Sequence, residues 1–140
     1  MTNLYLSDSI IVFFLVSFIF LCSLLIMRTY TADFLKFKIN PSLKIISVFV
    51  IGLCNYAVVL TIKSKVYEVA IACAIALLFL SIFLFLKYLL VEDTNKRNKL
   101  IFCMGLLLSL AVGCRPHYVL FIPIFFITIL WMETKTKNII

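Results

Sequence analysis

The sequence predicts an all-α integral membrane protein, and both its composition and its hydropathy support that fold class. Of the 140 residues, 65% are hydrophobic and 14% are charged, whereas soluble domains carry about 25% charged residues. The mean hydropathy is +1.21. Folding in water would leave apolar patches too large for a soluble protein. We therefore expect a single transmembrane domain that covers residues 1–140.

The first three apolar segments, residues 9–27, 43–62 and 69–91, are long enough to be full spans. Each supplies the roughly 20 apolar residues that cross a hydrocarbon layer as one helix. No basic residue precedes the first segment, so it lacks the n-region of a signal peptide and should stay in the mature protein. Before the second segment, Pro41 should end any upstream helix and Ser42 should cap the helix that follows.

The last apolar region, residues 100–132, is too long for one span. As a single helix it would measure about 50 Å, against a hydrocarbon layer of roughly 30 Å. Arg115, Pro116 and His117 interrupt the region and should break the helix. The two arms, 100–113 and 118–132, then form a short broken helical hairpin. We therefore expect about five membrane segments, three of them full spans.

The placement of basic residues predicts the orientation of these segments. Ten of the thirteen lysines and arginines fall in loops on one side of the predicted membrane, and only Lys63, Lys65 and Arg115 fall on the other. Cytoplasmic loops carry the excess of basic residues. We therefore expect the N-terminus outside, the C-terminus inside, and a multi-pass protein of the cell membrane.

Several other functional classes find no support in the sequence. The net charge of +7 comes from short basic runs between apolar segments, which does not indicate a nucleic-acid partner. His117 is the only histidine, so a multi-histidine metal site is excluded, and the five cysteines lie singly without ligand spacing. Nucleotide-binding, zinc-protease and serine-hydrolase motifs are absent from the sequence. We expect no metal and no cofactor.

Two polar loops on the predicted outer face contain the candidate site residues. An arginine at membrane depth costs about 2.5 to 3.5 kcal/mol on insertion scales, so Arg115 needs interfacial water or an acidic partner, for which Glu68 is the candidate. One hypothesis is a cationic pocket for a lipid-linked phosphate; the alternative is an interfacial arginine that snorkels to water. The predicted phosphate-binding residues are Arg115, Lys63 and Lys65, supported by Tyr67, Glu68 and His117.

Small residues in the third and fourth segments predict close helix packing. Gly105, Ser109 and Gly113 recur every four residues, a spacing that lets helix backbones approach in a membrane. The third segment carries similar pairs, Ala70 with Ala74 and Ala72 with Ala76. We therefore expect the third and fourth segments to be neighbours, with the glycine and serine residues packed inside the chain. The alternative is a face for dimerisation.

Two stretches resemble a known family. Residues 66–71 (VYEVAI) and 105–116 (GLLLSLAVGCRP), separated by a long apolar helix and a basic loop, resemble the middle of large bacterial multi-spanning proteins of the GT-C glycosyltransferase type. The likeness covers about residues 43–131. It implies a polyprenyl-phosphate-linked sugar as partner, transfer on the outer side of a bacterial plasma membrane, and an Arg115 that faces the phosphate.

The same resemblance implies that the chain is a fragment. GT-C proteins are several times longer and place an acidic catalytic residue in a large first outer loop, whereas the predicted outer loops here are short. The resemblance therefore implies a scaffold that is inactive alone, and no catalytic residue is assigned. The alternative function is a non-enzymatic small membrane protein that packs against a larger membrane partner or a second copy. A channel or transporter is less favoured because the spans contain almost no buried charge.

Overall fold

The computed structural model describes residues 2–34, 40–54 and 66–137, with most of their side chains, and every regular element among them is helical. We label the α-helices α1 to α5 in chain order. A π-helical turn extends α1, and a 3₁₀-helix precedes α5. The elements are α1 Thr2–Thr29, the π turn Tyr30–Phe34, α2 Pro41–Cys54, α3 Val66–Leu90, α4 Thr94–Cys114, the 3₁₀-helix Pro116–Leu120 and α5 Phe121–Lys137.

Three of the described helical segments, Ile10–Asp33, Val69–Leu90 and Thr94–Cys114, are long and apolar enough to cross a membrane. Their outer surfaces are apolar as well: the side chains of Phe14 and Phe102 are 67% and 72% exposed. Such surfaces are stable in hydrocarbon and not in water. For the described residues, the prediction of an all-helical chain with helices long and apolar enough to span a membrane is confirmed.

The helix boundaries differ from those of the predicted segments. Within the described residues the second segment is the 14-residue α2, and residues 55–62 lie outside the described part of the chain. The fourth segment, predicted as a short arm over 100–113, is a 21-residue helix that begins at Thr94. Asp93 caps this helix by accepting a hydrogen bond from the Asn95 N–H at 3.0 Å, so the polar first turns are helical too. A hydropathy criterion omits such turns.

The start of α2 is also two residues earlier than predicted. The Ser42 N–H donates to the Asn40 side-chain oxygen at 3.3 Å, and the Lys44 N–H donates to the Asn40 carbonyl at 3.2 Å. Asn40 is therefore the N-cap, and Pro41 occupies the first helical position, where its missing N–H costs nothing. The prediction that Ser42 caps this helix was wrong.

One group of core residues joins α1 to α3. Val12 and Ile19 pack against Ala72, Ile75 and Ala76, and all five are buried. The alanines bring the two helix backbones together, which is how helices gain dispersion energy in lipid. The alanine pairs of the third segment are thus packing residues as expected, although Ala72 and Ala76 contact α1.

A second group of core residues joins α3 and α4 to α5. Leu78, Met104, Leu108 and Phe125 are buried together, and Phe125 meets Phe85 edge to face with ring centroids 4.9 Å apart. Tyr118, at the start of the last helical region, contacts both groups, whereas Phe125 and Ile129, farther along α5, contact only the second. The chain therefore reverses after α4 and returns alongside α3. The predicted break between the two arms is confirmed.

The glycine and serine residues of α4 do not pack inside the part of the chain that the structure describes. Gly105, Ser109 and Gly113 are exposed, and a Cβ atom added at either glycine would meet no atom within 4 Å. The third and fourth segments are neighbours as predicted, but the buried residues of α4 are Met104, Leu108 and Ala111. The preferred intramolecular role of the glycine and serine residues was therefore wrong. We call these three residues the small-residue face.

The bundle has two distinguishable ends. Lys87 of α3 lies 3.7 Å from Asp33 in the π turn after α1, so the C-terminal ends of α1 and α3 lie together. We call this the basic end; its cations among the described residues are Arg28, Lys44, Lys87, Lys96, Arg97 and Lys99. The opposite end, where α4 stops at Cys114 and α3 begins, is the break end.

Candidate phosphate-binding site

The break between α4 and α5 follows from a single proline. Pro116 lacks an N–H group and disfavours helical geometry at the residue before it. Arg115 is accordingly extended, with φ −150° and ψ 107°. Its N–H still donates to the Ala111 carbonyl at 2.9 Å, and its carbonyl accepts from the Tyr118 N–H at 3.1 Å. Arg115 is therefore held by backbone hydrogen bonds on both sides of the turn.

The Arg115 side chain is directed partly into the protein. The residue is half-buried, its terminal nitrogen Nη2 is buried, and its positive charge acts on the Tyr118 phenol. A snorkelling arginine would place its whole guanidinium in water. The observed placement is closer to that of a group within a partly enclosed site, where charge interactions are stronger than in water.

Two aromatic rings accompany Arg115 on the 3₁₀-helix. His117 is exposed, and its ring lies 5.0 Å from the Tyr118 ring, centroid to centroid. Tyr118 is half-buried and its ring also contacts Phe121, at 5.9 Å. His117 therefore stands at the open side of the break, while Tyr118 anchors the 3₁₀-helix to the bundle.

The first turns of α3 lie beside this break. The Cys73 thiol interacts with the Cys114 thiol, and Tyr118 packs against the group of buried residues that includes Ala72. The N-terminal part of α3 therefore lies beside the end of α4. Tyr67 and Glu68 lie in the first turn of α3, and Glu68 precedes Cys73 by about 7.5 Å of helix. The sequence did not reveal this cysteine contact, because neither residue belongs to a ligand-spacing motif.

Only part of the predicted site can be located. The structure brings Arg115 and His117 to the same end of the bundle as the backbone of Tyr67 and Glu68. The side chains of Tyr67 and Glu68 lie outside the described part of the chain, as do Lys63 and Lys65 altogether. The cationic pocket formed by Arg115 and the two lysines stays a prediction.

At the basic end, the structure contains a polar contact that the sequence did not predict. Tyr88 is buried, and its hydroxyl accepts a hydrogen bond from Arg97 Nη2 at 2.8 Å. The guanidinium carbon also lies 4.7 Å from the centre of the Tyr88 ring, within the range of a cation–π interaction. This contact ties the start of α4 to the end of α3, and we assign it a structural role.

No family model, curated protein or solved structure matches this chain. Its function is therefore inferred from the geometry of the described residues and from the resemblance carried by residues 66–71 and 105–116.

Proposed function

We propose that this membrane protein holds the phosphate of a polyprenyl-phosphate-linked sugar at the break between α4 and α5, as part of a GT-C-like glycosyltransferase scaffold. The observation that carries the proposal is the placement of Arg115, whose guanidinium has one buried nitrogen at a break beside the first turns of α3. An arginine offers two parallel N–H donors to a phosphate, and the bond is charge-assisted.

The proposal includes an orientation in the membrane. With five segments, the N-terminus outside and the C-terminus inside, the break faces the outer side of a bacterial plasma membrane. In this arrangement Lys63 and Lys65 add charge to the same site, and Tyr67, Glu68 and His117 border it. The excess of basic residues at the opposite end of the bundle supports this orientation.

The proposed role is binding, and the chain alone is not expected to transfer the sugar. Transfer needs a base or a carboxylate beside the acceptor hydroxyl. Among the described side chains, those of the break are the cation Arg115 and the aromatic residues His117 and Tyr118. We therefore assign no catalytic carboxylate to the described side chains of the break.

Replacing Arg115 with alanine should weaken the binding of polyprenyl phosphate by about 30-fold. Hydrogen bonds to charged groups contribute about 1.5 to 3 kcal/mol each, and the substitution removes a charged fork. The affinity is measured by titrating the detergent-solubilised full chain with polyprenyl phosphate and monitoring the intrinsic fluorescence of the protein. For the wild type, the affinity should also fall as salt concentration rises, because salt screens the charge interaction.

Two further variants separate phosphate binding from general attraction. Lys96→Ala removes one positive charge at the basic end and should leave the affinity unchanged. Arg115→Lys keeps the charge but loses the planar fork, and should give an intermediate affinity. If Arg115→Ala binds polyprenyl phosphate as tightly as the wild type does, Arg115 has no role in phosphate binding.

The second candidate function is non-enzymatic packing against a larger membrane protein or a second copy. The small-residue face favours it: Gly105 and Gly113 have open space where a Cβ atom would lie. Exposed glycines and serines allow a second helix to approach closely in lipid. Packing of another helix there would not cover the break at Arg115, so the two functions are compatible.

Ser109→Leu should reduce this association by about tenfold or more, because a leucine in the middle of the face holds the second helix away. Crosslinking in native membranes measures the association. Ser17→Leu is the matched control: Ser17 is also exposed and also donates its hydroxyl to the carbonyl four residues earlier. If both variants crosslink as efficiently as the wild type, the small-residue face is not part of the interface.

A further inference from the structure

A cleft between α1 and α2 opens toward the basic end of the bundle. Phe20 of α1 meets Phe49 of α2 edge to face, with ring centroids 6.0 Å apart. One turn closer to the basic end, a cavity of about 320 Å³ lies between the two helices. It is lined by Leu24, Met27 and Arg28 from α1 and by Lys44, Ile45 and Val48 from α2.

The lining of this cleft has a cationic part and an apolar part. Arg28 stands in the last turn of α1 and Lys44 in the first turns of α2, so both cations lie at the helix ends. Leu24 and Val48 lie one turn farther in, toward the phenylalanine pair. This order, charge at the end and hydrocarbon within, matches the order of headgroup and acyl chain in a phospholipid.

The cations of this cleft have no carboxylate partner among the described residues. Within the described part of the chain, neither Arg28 nor Lys44 makes an ion pair, whereas Lys87 lies 3.7 Å from Asp33 and Lys96 lies 3.8 Å from Asp93. A second cavity at the basic end, of about 350 Å³, is lined by Lys87, Lys96 and Lys99 with Val91 and Leu100. Two of its three lysines thus have carboxylate partners, whereas neither cation of the α1–α2 cleft has one among the described residues.

We propose that the α1–α2 cleft binds an anionic glycerophospholipid. The Arg28 guanidinium and the Lys44 ammonium contact the headgroup phosphate, the first as a fork and the second as a point charge. An acyl chain covers the apolar wall of Leu24, Ile45 and Val48. Basic pockets between membrane helices bind anionic headgroups in this way. The site lies at the opposite end from the break and is independent of the function proposed there.

Titration of the detergent-solubilised full chain with phosphatidylglycerol and with phosphatidylcholine of identical acyl chains tests the proposal. Native mass spectrometry counts the lipid retained by each chain. Phosphatidylglycerol should bind at least tenfold more tightly than the zwitterionic lipid. The double variant Arg28→Gln/Lys44→Gln should lose about 30-fold in affinity for phosphatidylglycerol, or about fivefold for each cation. Its helix content, measured by circular dichroism, should match that of the wild type.

The matched control is Lys96→Gln/Lys99→Gln, which also removes two cations from the basic end. This variant should still bind phosphatidylglycerol more tightly than phosphatidylcholine. If both double variants lose the same affinity for phosphatidylglycerol, the proposal is overturned, because the lipid is then attracted to the basic end in general. Equal binding of the two lipids by the wild type would also overturn it. Glycerol phosphate, which has the charge without the acyl chains, should not displace phosphatidylglycerol at tenfold excess; displacement would assign the site to a free phosphate.

Discussion

Phe125→Ala should lower the free energy of unfolding by about 3 kcal/mol, which is typical when a buried phenylalanine is truncated. Phe125 is 7% exposed and packs among Leu78, Met104 and Leu108. It also meets the Phe85 ring at 4.9 Å, and aromatic pairs add to the energy of burial. Because Phe125 links α5 to both α3 and α4, its loss should release the last helix first.

Phe126→Ala is the matched control for this prediction. Phe126 is the next residue of the same helix but is 60% exposed, so its ring faces lipid and not the bundle. Its truncation should change the free energy of unfolding by less than about 0.5 kcal/mol. Unfolding in mixed micelles with increasing sodium dodecyl sulfate, followed by circular dichroism, measures both variants. Equal destabilisation would mean that α5 does not pack through Phe125.

Those parts of the fold that depend on chain length and on proline were predictable from the sequence. Residues 9–27, and all of residues 69–91 except the last, fall within long apolar helices, because a helix satisfies its own backbone hydrogen bonds in lipid. Residues 100–132 could not form one span, and the structure breaks them after Cys114. Pro116 supplied the physical reason for the position of the break.

The direction in which each helix faces was not predictable in the same way. In water, polarity separates the outer face of a helix from its core, but in lipid both faces are apolar. The glycines of α4 therefore looked like packing residues, although Met104, Leu108 and Ala111 form its buried face. The cap provided by Asp93 was missed for a related reason: hydropathy does not register a helix turn that is polar.

The candidate site was predictable in its residue types and only partly in its geometry. Arg115 was selected because an arginine in an apolar region is costly, and the structure places it at a break with one nitrogen buried. No sequence pattern indicated the contact between Cys73 and Cys114, because it arises from the packing of two helices against each other. That contact is nevertheless the observation that brings the start of α3 to the break.

In a chain that keeps Cys73 and Cys114 as its only cysteines, oxidation with diamide should convert most molecules to the internal disulfide. The two thiols interact with each other, and a disulfide forms when the Cα atoms are within about 7 Å and the side chains face each other. Each reaction transfers two electrons and two protons from the thiols to one diamide. The oxidised chain is then unfolded and treated with a polyethylene-glycol maleimide. It should accept no label before the disulfide is reduced and two labels afterwards.

The control chain keeps Cys73 and Cys103 instead. Cys103 is exposed on α4, so this pair should stay reduced and accept two labels under the same treatment. If both chains oxidise to the same extent, random collisions explain the product and the contact is not specific. A disulfide confined to Cys73 and Cys114 would establish that the first turns of α3 adjoin the end of α4. Because Glu68 and Arg115 belong to those two segments, the phosphate site proposed at the break requires this result.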